Sequence, residues 1–250
     1  MDKILGLPPM ASESGGGVDT LIVYIHWLMI SLFIGWICYF FLSLYKFRSG
    51  RNPKANYHGV RSHASSYIEV AVAGVEVVLL VAVALPLWIK HASKFPKVED
   101  STVIQIVAQQ FAWNARYPGK DAEFGRQDMS LVKADNVFGV DPADPKGKDD
   151  VQVLNELHVP VNKDVICYIS SKDVIHSFRI IAMRVTQDAV PGMRIPIHFK
   201  PVKEGRYQIN CAQLCGNGHA SMAGGYLVVE SQAAYDKWLA SKSGAATSFE

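Results

Sequence analysis

Four side chains in one short segment could together bind a soft metal ion. The segment CAQLCGNGHASM carries Cys211, Cys215, His219 and Met222. Thiolate, imidazole and thioether groups favour copper over calcium or magnesium, and zinc sites rarely include methionine. A further imidazole is needed, and His176 in DVIHSF is the natural candidate, although a single histidine on an apolar strand is more often an ordinary core residue. The sequence therefore predicts a copper site.

The number of thiolates bears on how many copper ions the site would hold. One cysteine with two histidines and a weak axial methionine would give a mononuclear blue-copper site. Cys211 adds a second thiolate four residues before Cys215, so both sulfurs can bridge a pair of ions, each with one imidazole and one weak axial donor. Because bridging spreads a transferred electron over both metals, the geometry changes little on oxidation. The alternatives are a disulfide between the two cysteines or a chance grouping of ligand residues.

Composition limits the class of protein that carries this site. The 250 residues are 49% hydrophobic and 19% charged, which argues against disorder and allows a packed core. A formal net charge of +2 is too balanced for a general nucleic-acid binder, so no nucleic-acid partner is expected. Four cysteines are too few for a disulfide scaffold, which leaves reactive, metal-binding or buried thiols.

Two apolar blocks predict a membrane hairpin. Residues 21–47 contain no charged residue before Lys46, and at about 1.5 Å per residue this run reaches about 40 Å, enough to cross a bilayer. Residues 67–89 form the second span. The connection at about 46–66 contains five basic and no acidic residues, which places it on the cytoplasmic side and both termini outside.

The rest of the chain predicts an all-β domain. From about residue 96, short apolar runs are broken by Gly, Pro, Asn and Asp, a pattern typical of strands and turns. The strand candidates are residues 102–109, 164–170, 174–180, 195–199, 206–211 and 226–229. Alternation places Val174, His176, Phe178 and Ile180 on one face, so His176 points toward apolar neighbours. Residues 118–150 form a long excursion, and residues 231–240 form a terminal helix.

Four ordered motifs follow the two-helix hairpin: QQFAWNARYP, DVIHSF, QDAVPGM and CAQLCGNGHASM. Together they resemble subunit II of haem-copper cytochrome c oxidases, and the resemblance covers residues 20–230. It implies a transmembrane hairpin followed by an all-β cupredoxin-like Greek-key barrel or sandwich with a binuclear CuA centre. Together with the composition of the two ends, it gives an expected organisation: a mobile leader at 1–20, the hairpin at 21–92, the CuA domain at 93–232, and a C-terminal helix and tail at 233–250.

The same resemblance assigns the copper ligands position by position. They are His176, Cys211, Cys215, His219, Met222 and the main-chain carbonyl of Gln213. The family usually has glutamate at the position of Gln213, and its carboxylate helps to hold a magnesium ion. A neutral amide is a poorer ligand for a hard cation, so the sequence disfavours magnesium.

The resemblance also implies a position at which electrons are accepted. The family's QW-x-W motif, whose first tryptophan receives electrons from cytochrome c, appears here with phenylalanine in that place. Phe111 therefore takes the accepting position, and Trp113 keeps the inner one. A donor held permanently in a larger complex would account for the change. Asp173 and Asp188 resemble acidic positions of the family near the surface of the copper domain.

Two acidic residues in the second span differ in their implied roles. Glu69 lies near the cytoplasmic end and corresponds to a family glutamate at the entrance of a proton path. Glu76 lies in the middle of the span, where a carboxylate is costly, and we expect it to pack against a partner helix.

The implied function is that of subunit II of a respiratory terminal oxidase. Such a subunit accepts electrons from a c-type cytochrome and passes them to haem in the catalytic subunit I, where O2 is reduced to water and protons are translocated. The implied partners are subunit I, other oxidase subunits and the c-type cytochrome, which a supercomplex could hold. The implied location is a bacterial-type inner membrane with the copper domain on the periplasmic side. The alternatives are a membrane-anchored mononuclear blue-copper carrier and a copper assembly factor.

Overall fold

Two long apolar helices make up most of one unit of the chain. The computed structural model describes residues 5–54, 57–59 and 61–243. Helix α1 spans Gly15–Phe47 and helix α2 spans Ala64–Ser93, and both are long and apolar enough to cross a membrane. Their apolar side chains are largely exposed, an arrangement suited to a lipid surrounding. Residues 55, 56 and 60 of the predicted cytoplasmic loop lie outside the described residues.

Helix α2 is not regular along its length. α-Helical segments at Ala64–Val78 and Leu85–Trp88 alternate with π-helical turns at Leu79–Ala84 and Ile89–Ser93. Pro86 lies just after the first π-helical turn and has no backbone N–H to donate. Its missing hydrogen bond accounts for the local change in helix type.

The start of the chain differs from the expectation of a mobile leader over residues 1–20. Helix α1 already begins at Gly15, and the segment before it belongs to the β unit. Ala11 is fully buried there, its N–H donates to the carbonyl of Ala182 at 2.8 Å, and its carbonyl accepts from Val202 at 2.8 Å. These backbone bonds order the segment although its sequence has no strand pattern. Residues 1–4 lie outside the described part of the chain.

The β unit is a sandwich of two five-stranded sheets. Its strands are β1 (Thr102–Gln109), β2 (Ala112–Tyr117), β3 (Val151–Leu154), β4 (Glu156–Pro160), β5 (Val165–Ser171), β6 (His176–Ile180), β7 (Val185–Ala189), β8 (Ile195–Phe199), β9 (Gly205–Cys211) and β10 (Gly225–Glu230). The first sheet has the order β3-β2-β1-β5-β8, and the second has the order β4-β10-β9-β6-β7. Strands β1 and β5, and strands β4 and β10, pair in parallel, and the other pairs are antiparallel. Buried side chains of both sheets form one hydrophobic core, so the predicted all-β domain is confirmed.

The boundaries of the six predicted strands agree with the structure to within two residues, but four further strands were not predicted. The runs at 102–109 and 195–199 match β1 and β8 in full. Strand β2 was missed because all six of its positions are buried, which removes the alternation of polar and apolar residues. Strands β3, β4 and β7 were missed as well. Residues 118–150 form the expected long connection, with short 3-10 turns at Met129–Leu131 and Pro145–Gly147 and an isolated antiparallel bridge between Gln127 and Val140.

The last described element is helix α3, Gln232–Lys242. Ser231 caps its N-terminus, because the Ser231 hydroxyl accepts from the N–H of Ala234 at 3.3 Å. Tyr235 is buried and Trp238 stacks on His158 with the ring centroids 4.1 Å apart, which fixes the helix to the β unit. Residues 244–250 of the predicted tail lie outside the described residues.

Candidate metal centre

Neighbouring strands β6 and β9 bring a histidine and a cysteine together. They pair antiparallel with Phe178 opposite Cys211. His176 begins β6 and Cys211 ends β9, so the two residues lie at the same end of the sheet. His176 and Phe178 are fully buried, as the alternation predicts. The prediction was wrong for Val174, which lies before the strand and is 38% exposed.

The segment after β9 folds back over this end of the sheet. Gly216 has a φ of +137°, a value that L side chains rarely adopt, and it allows the chain to turn directly after Cys215. A 3-10 helix, His219–Gly224, follows. Because a 3-10 helix has about three residues per turn, His219 and Met222 lie on the same side of it.

The predicted donor atoms converge on the two cysteine sulfurs. Cys211 Sγ and Cys215 Sγ are 3.8 Å apart. His176 Nδ1 lies 4.0 Å from the sulfur of Cys211, and His219 Nδ1 lies 3.4 Å from that of Cys215. The donor atoms of His176, Cys211 and Cys215 all lie within 4.8 Å of one another. The structure therefore gives each thiol a different nearby imidazole.

Two weaker donors complete the cluster. Met222 Sδ is 3.1 Å from His176 Nδ1 and 3.4 Å from Cys215 Sγ, and the whole side chain is buried. The main-chain carbonyl oxygen of Gln213 is 3.0 Å from Cys211 Sγ, while the rest of Gln213 is exposed. The set consists of two thiols, two imidazoles, a thioether and a carbonyl. Both the number and the chemical types of these donors suit copper.

Asp173 fixes the orientation of the His176 ring. His176 Nε2 lies 2.8 Å from Asp173 Oδ1, so this nitrogen carries the proton and Nδ1 presents its lone pair to the sulfurs. Burial alone would raise the pKa of Asp173, but hydrogen bonds from Gln110, His176 and Val174 lower it overall. The sequence placed Asp173 only among surface acidic positions. Its spacing of three residues before the histidine is the signal that could have revealed this contact.

The environment of Cys215 keeps its thiol protonated when no metal is bound. Burial raises the pKa of Cys215 to about 11, and the hydrogen bond and charge of Cys211 add to this effect. Cysteine binds a metal ion as the thiolate, so metal binding has to displace the proton of the Cys215 thiol.

The turn between β1 and β2 lies against the segment that carries the donors. Phe111 is half-buried, and a Cβ on Gly218 would lie only 2.3 Å from its ring, so glycine is required there. Trp113 is fully buried, and its Nε1–H donates to the carbonyl of Met222 at 3.0 Å. The Trp113 ring also meets the His176 ring edge-on, with centroids 6.3 Å apart. Both residues predicted for electron acceptance thus lie beside the donor cluster.

The remaining predicted site residue belongs to the helical unit. Glu69 is exposed on helix α2, and Glu76 is exposed two turns further along the same helix face.

The chain is similar to curated oxidase subunits. It is 31% identical over 226 residues to the alternative cytochrome c oxidase subunit 2 of Bradyrhizobium diazoefficiens, covering 90% of this chain and 79% of that protein. It is 28% identical over 256 residues to cytochrome c oxidase subunit 2 of Cereibacter sphaeroides, covering 95% and 82%. Among solved structures, the periplasmic domain of subunit II of cytochrome oxidase of Bradyrhizobium japonicum aligns at 27% identity and a TM-score of 0.43, covering 60% of this chain and 96% of that one.

A family match covers the whole β sandwich. Residues 102–231 match the family described as cytochrome c oxidase subunit II, periplasmic domain. This range contains all ten strands and every donor of the candidate centre, and the two apolar helices precede it. The expected cupredoxin-like fold after two apolar helices is confirmed. The chain therefore belongs to the cytochrome c oxidase subunit II family.

Proposed function

We propose that this chain is the membrane-anchored electron-transfer subunit of a respiratory terminal oxidase and binds a pair of copper ions. The bound pair would take up and release one electron at a time. The observation that carries the proposal is the close pair of thiols, 3.8 Å apart, with His176 beside Cys211 and His219 beside Cys215.

The arrangement of donors favours two ions over one. A mononuclear blue-copper site uses one thiolate, two imidazoles and a weak axial donor, which would leave Cys211 without a role. A pair of ions held by Cys211 and Cys215 would make use of every donor in the cluster. Met222 lies beside His176, and the carbonyl of Gln213 lies beside the sulfur of Cys211, so two separate weak donors are at hand.

The surrounding residues hold the donors in place and keep water out. His176, Cys215 and Met222 are at most 4% exposed, so their donor atoms lie in a dry, low-dielectric region. Asp173 holds one tautomer of His176, which leaves Nδ1 free to bind. Because these contacts hold the donors in place, the donors would need little rearrangement when an electron is gained or lost.

Two aromatic side chains offer a route for electrons from the surface to the cluster. Phe111 is partly exposed at the β1–β2 turn, and Trp113 is buried against His176. A c-type cytochrome on the outer side of the membrane is the proposed donor. Phe111 takes the accepting position and Trp113 the inner position.

The oxidase reaction itself belongs to the assembled complex. The proposed acceptor is haem in subunit I, where O2 is reduced to water and protons are translocated. The two apolar helices anchor this chain in a bacterial-type inner membrane, with the β unit on the periplasmic side. Glu69, on helix α2, is the proposed entrance of a proton path toward the catalytic subunit.

Copper loading of the purified full-length chain in detergent tests this function. We expect two copper ions per chain and an electron paramagnetic resonance spectrum of one electron shared equally by two copper nuclei. Cys215→Ser should abolish this spectrum, and the control Cys38→Ser, at an exposed position of helix α1, should leave it unchanged. One copper ion per chain would favour the mononuclear carrier, and preferential uptake of zinc would refute the proposal.

A further inference from the structure

Gln110, in the turn between β1 and β2, is not one of the candidate metal donors, yet it hydrogen-bonds to the loop that carries Cys215. The side-chain amide of Gln110 donates from Nε2 to the main-chain carbonyl of Cys215 at 2.7 Å. The backbone N–H of Gln110 donates to Asp173 Oδ2, also at 2.7 Å. Asp173 in turn accepts from His176. One residue therefore connects the cysteine loop with the histidine on β6.

The cysteine loop is shaped to receive this side chain. A Cβ on Gly216 would lie 2.8 Å from Gln110 Nε2, closer than real Cβ atoms come to a neighbour. A side chain at this position would push the amide away from the carbonyl of Cys215. Glycine at 216 thus serves the turn of the loop and also leaves room for Gln110.

The turn that carries Gln110 is itself held firmly. On its β2 side, the backbone N–H of Trp113 donates to Asn155 Oδ1 at 2.8 Å. On its β1 side, Ala108 is fully buried, and its carbonyl accepts from the N–H of Lys172 at 2.9 Å. Because both flanks are fixed, the amide of Gln110 acts as a rigid support for the loop.

We propose that Gln110 is a positioning residue that sets the spacing of Cys215 from Cys211 and His176. The inference rests on the proposed copper function and extends it to a residue that binds no metal. Without the amide, the carbonyl of Cys215 loses its donor and the loop can move away from the sheet. A hydrogen bond of this kind changes an equilibrium or a rate by about five- to tenfold.

Two variants separate the amide from the bulk of the side chain. Gln110→Glu keeps the length of the side chain and the backbone N–H but cannot donate when ionised, whereas Gln110→Ala removes both bulk and donor. The matched control is Gln127→Ala, which also removes a side-chain amide donor, here to the carbonyl of Phe138 at 3.0 Å in the excursion before β3. Circular dichroism and the unfolding temperature of each variant report whether it folds.

The first measurement uses the full-length chain in detergent, loaded with copper. We expect both Gln110 variants to lose copper to a competing chelator about five to ten times faster than the native chain, with altered hyperfine splitting in the resonance spectrum. Gln127→Ala should behave like the native chain. Native values for both Gln110 variants, or an equal effect of Gln127→Ala, would overturn the inference.

The second measurement needs no metal and separates this inference from the proposed function. The sulfurs of Cys211 and Cys215 must approach from 3.8 Å to about 2 Å to form a disulfide. Releasing the loop should therefore let diamide oxidise the pair several times faster in the Gln110 variants than in the native chain or in Gln127→Ala. A native chain that binds one copper ion while these rates still differ would refute the copper pair and leave the positioning role intact. Equal rates would overturn the positioning role.

Discussion

Replacing Trp113 by phenylalanine should destabilise the β unit, because the indole fills the core and also holds the segment that carries the candidate donors. Trp113 is fully buried, and its N–H donates to the carbonyl of Met222, another fully buried residue. Phenylalanine would leave that carbonyl without a donor, which costs about 1–3 kcal/mol. The smaller ring also leaves a void of roughly 40 Å³, which costs about 1 kcal/mol at ~24 cal/mol per Å³. The free energy of unfolding should therefore fall by about 2–4 kcal/mol.

Scanning calorimetry of the metal-free full-length chain in detergent measures this loss. In a domain of this size each kcal/mol lowers the midpoint by about 2–4 °C, so Trp113→Phe should unfold about 4–16 °C below the native chain. The control is Trp88→Phe, because Trp88 is 60% exposed on helix α2 and lies outside the β unit. A midpoint for Trp113→Phe that matches the native one would show that neither the hydrogen bond nor the packing of the indole supports the fold.

Three further outcomes are expected. Met222→Leu should retain copper but shift its reduction potential in a redox titration, because a weak thioether donor tunes the metal more than it holds it. The control Met183→Leu, a buried change elsewhere in the core, should leave the potential unchanged. In the assembled oxidase, Glu69→Gln should slow proton uptake and O2 reduction together, and unchanged rates would remove Glu69 from the proposed path. Asp150→Asn should lower the free energy of unfolding in urea by about 3–5 kcal/mol, because it leaves the fully buried charge of its partner Arg116 unpaired; a loss below about 1 kcal/mol would contradict this reasoning.

The donor residues could be predicted from the sequence because their chemistry is carried by residue type and short spacing. Cys211, Cys215, His219 and Met222 lie in one segment, and His176 stands out on an alternating strand. The pairing of β6 with β9 could not be derived from the local pattern, because two other strands separate them along the chain. The local sequence thus indicated the candidate donors, and the sheet register determined how close they come.

The supporting contacts were harder to predict because they depend on tertiary structure. Gln110 and Asp173 are ordinary polar residues of turns in the sequence, and only the folded sheets bring them to the donor cluster. Burial can also conceal a strand, as in β2, where both faces are covered. The segment around Ala11 resembles a flexible terminus, yet backbone hydrogen bonds from distant loops hold it.

The register between β6 and β9 has a consequence for biogenesis. A nascent chain that ends before β9 carries the imidazole of His176 but neither of the sulfurs that lie beside it in the folded protein. Pairings between strands far apart along a polypeptide form late, since the intervening loop must close first. We therefore expect insertion of the proposed copper pair to follow synthesis and folding of the β unit, when all of its candidate donors have come together.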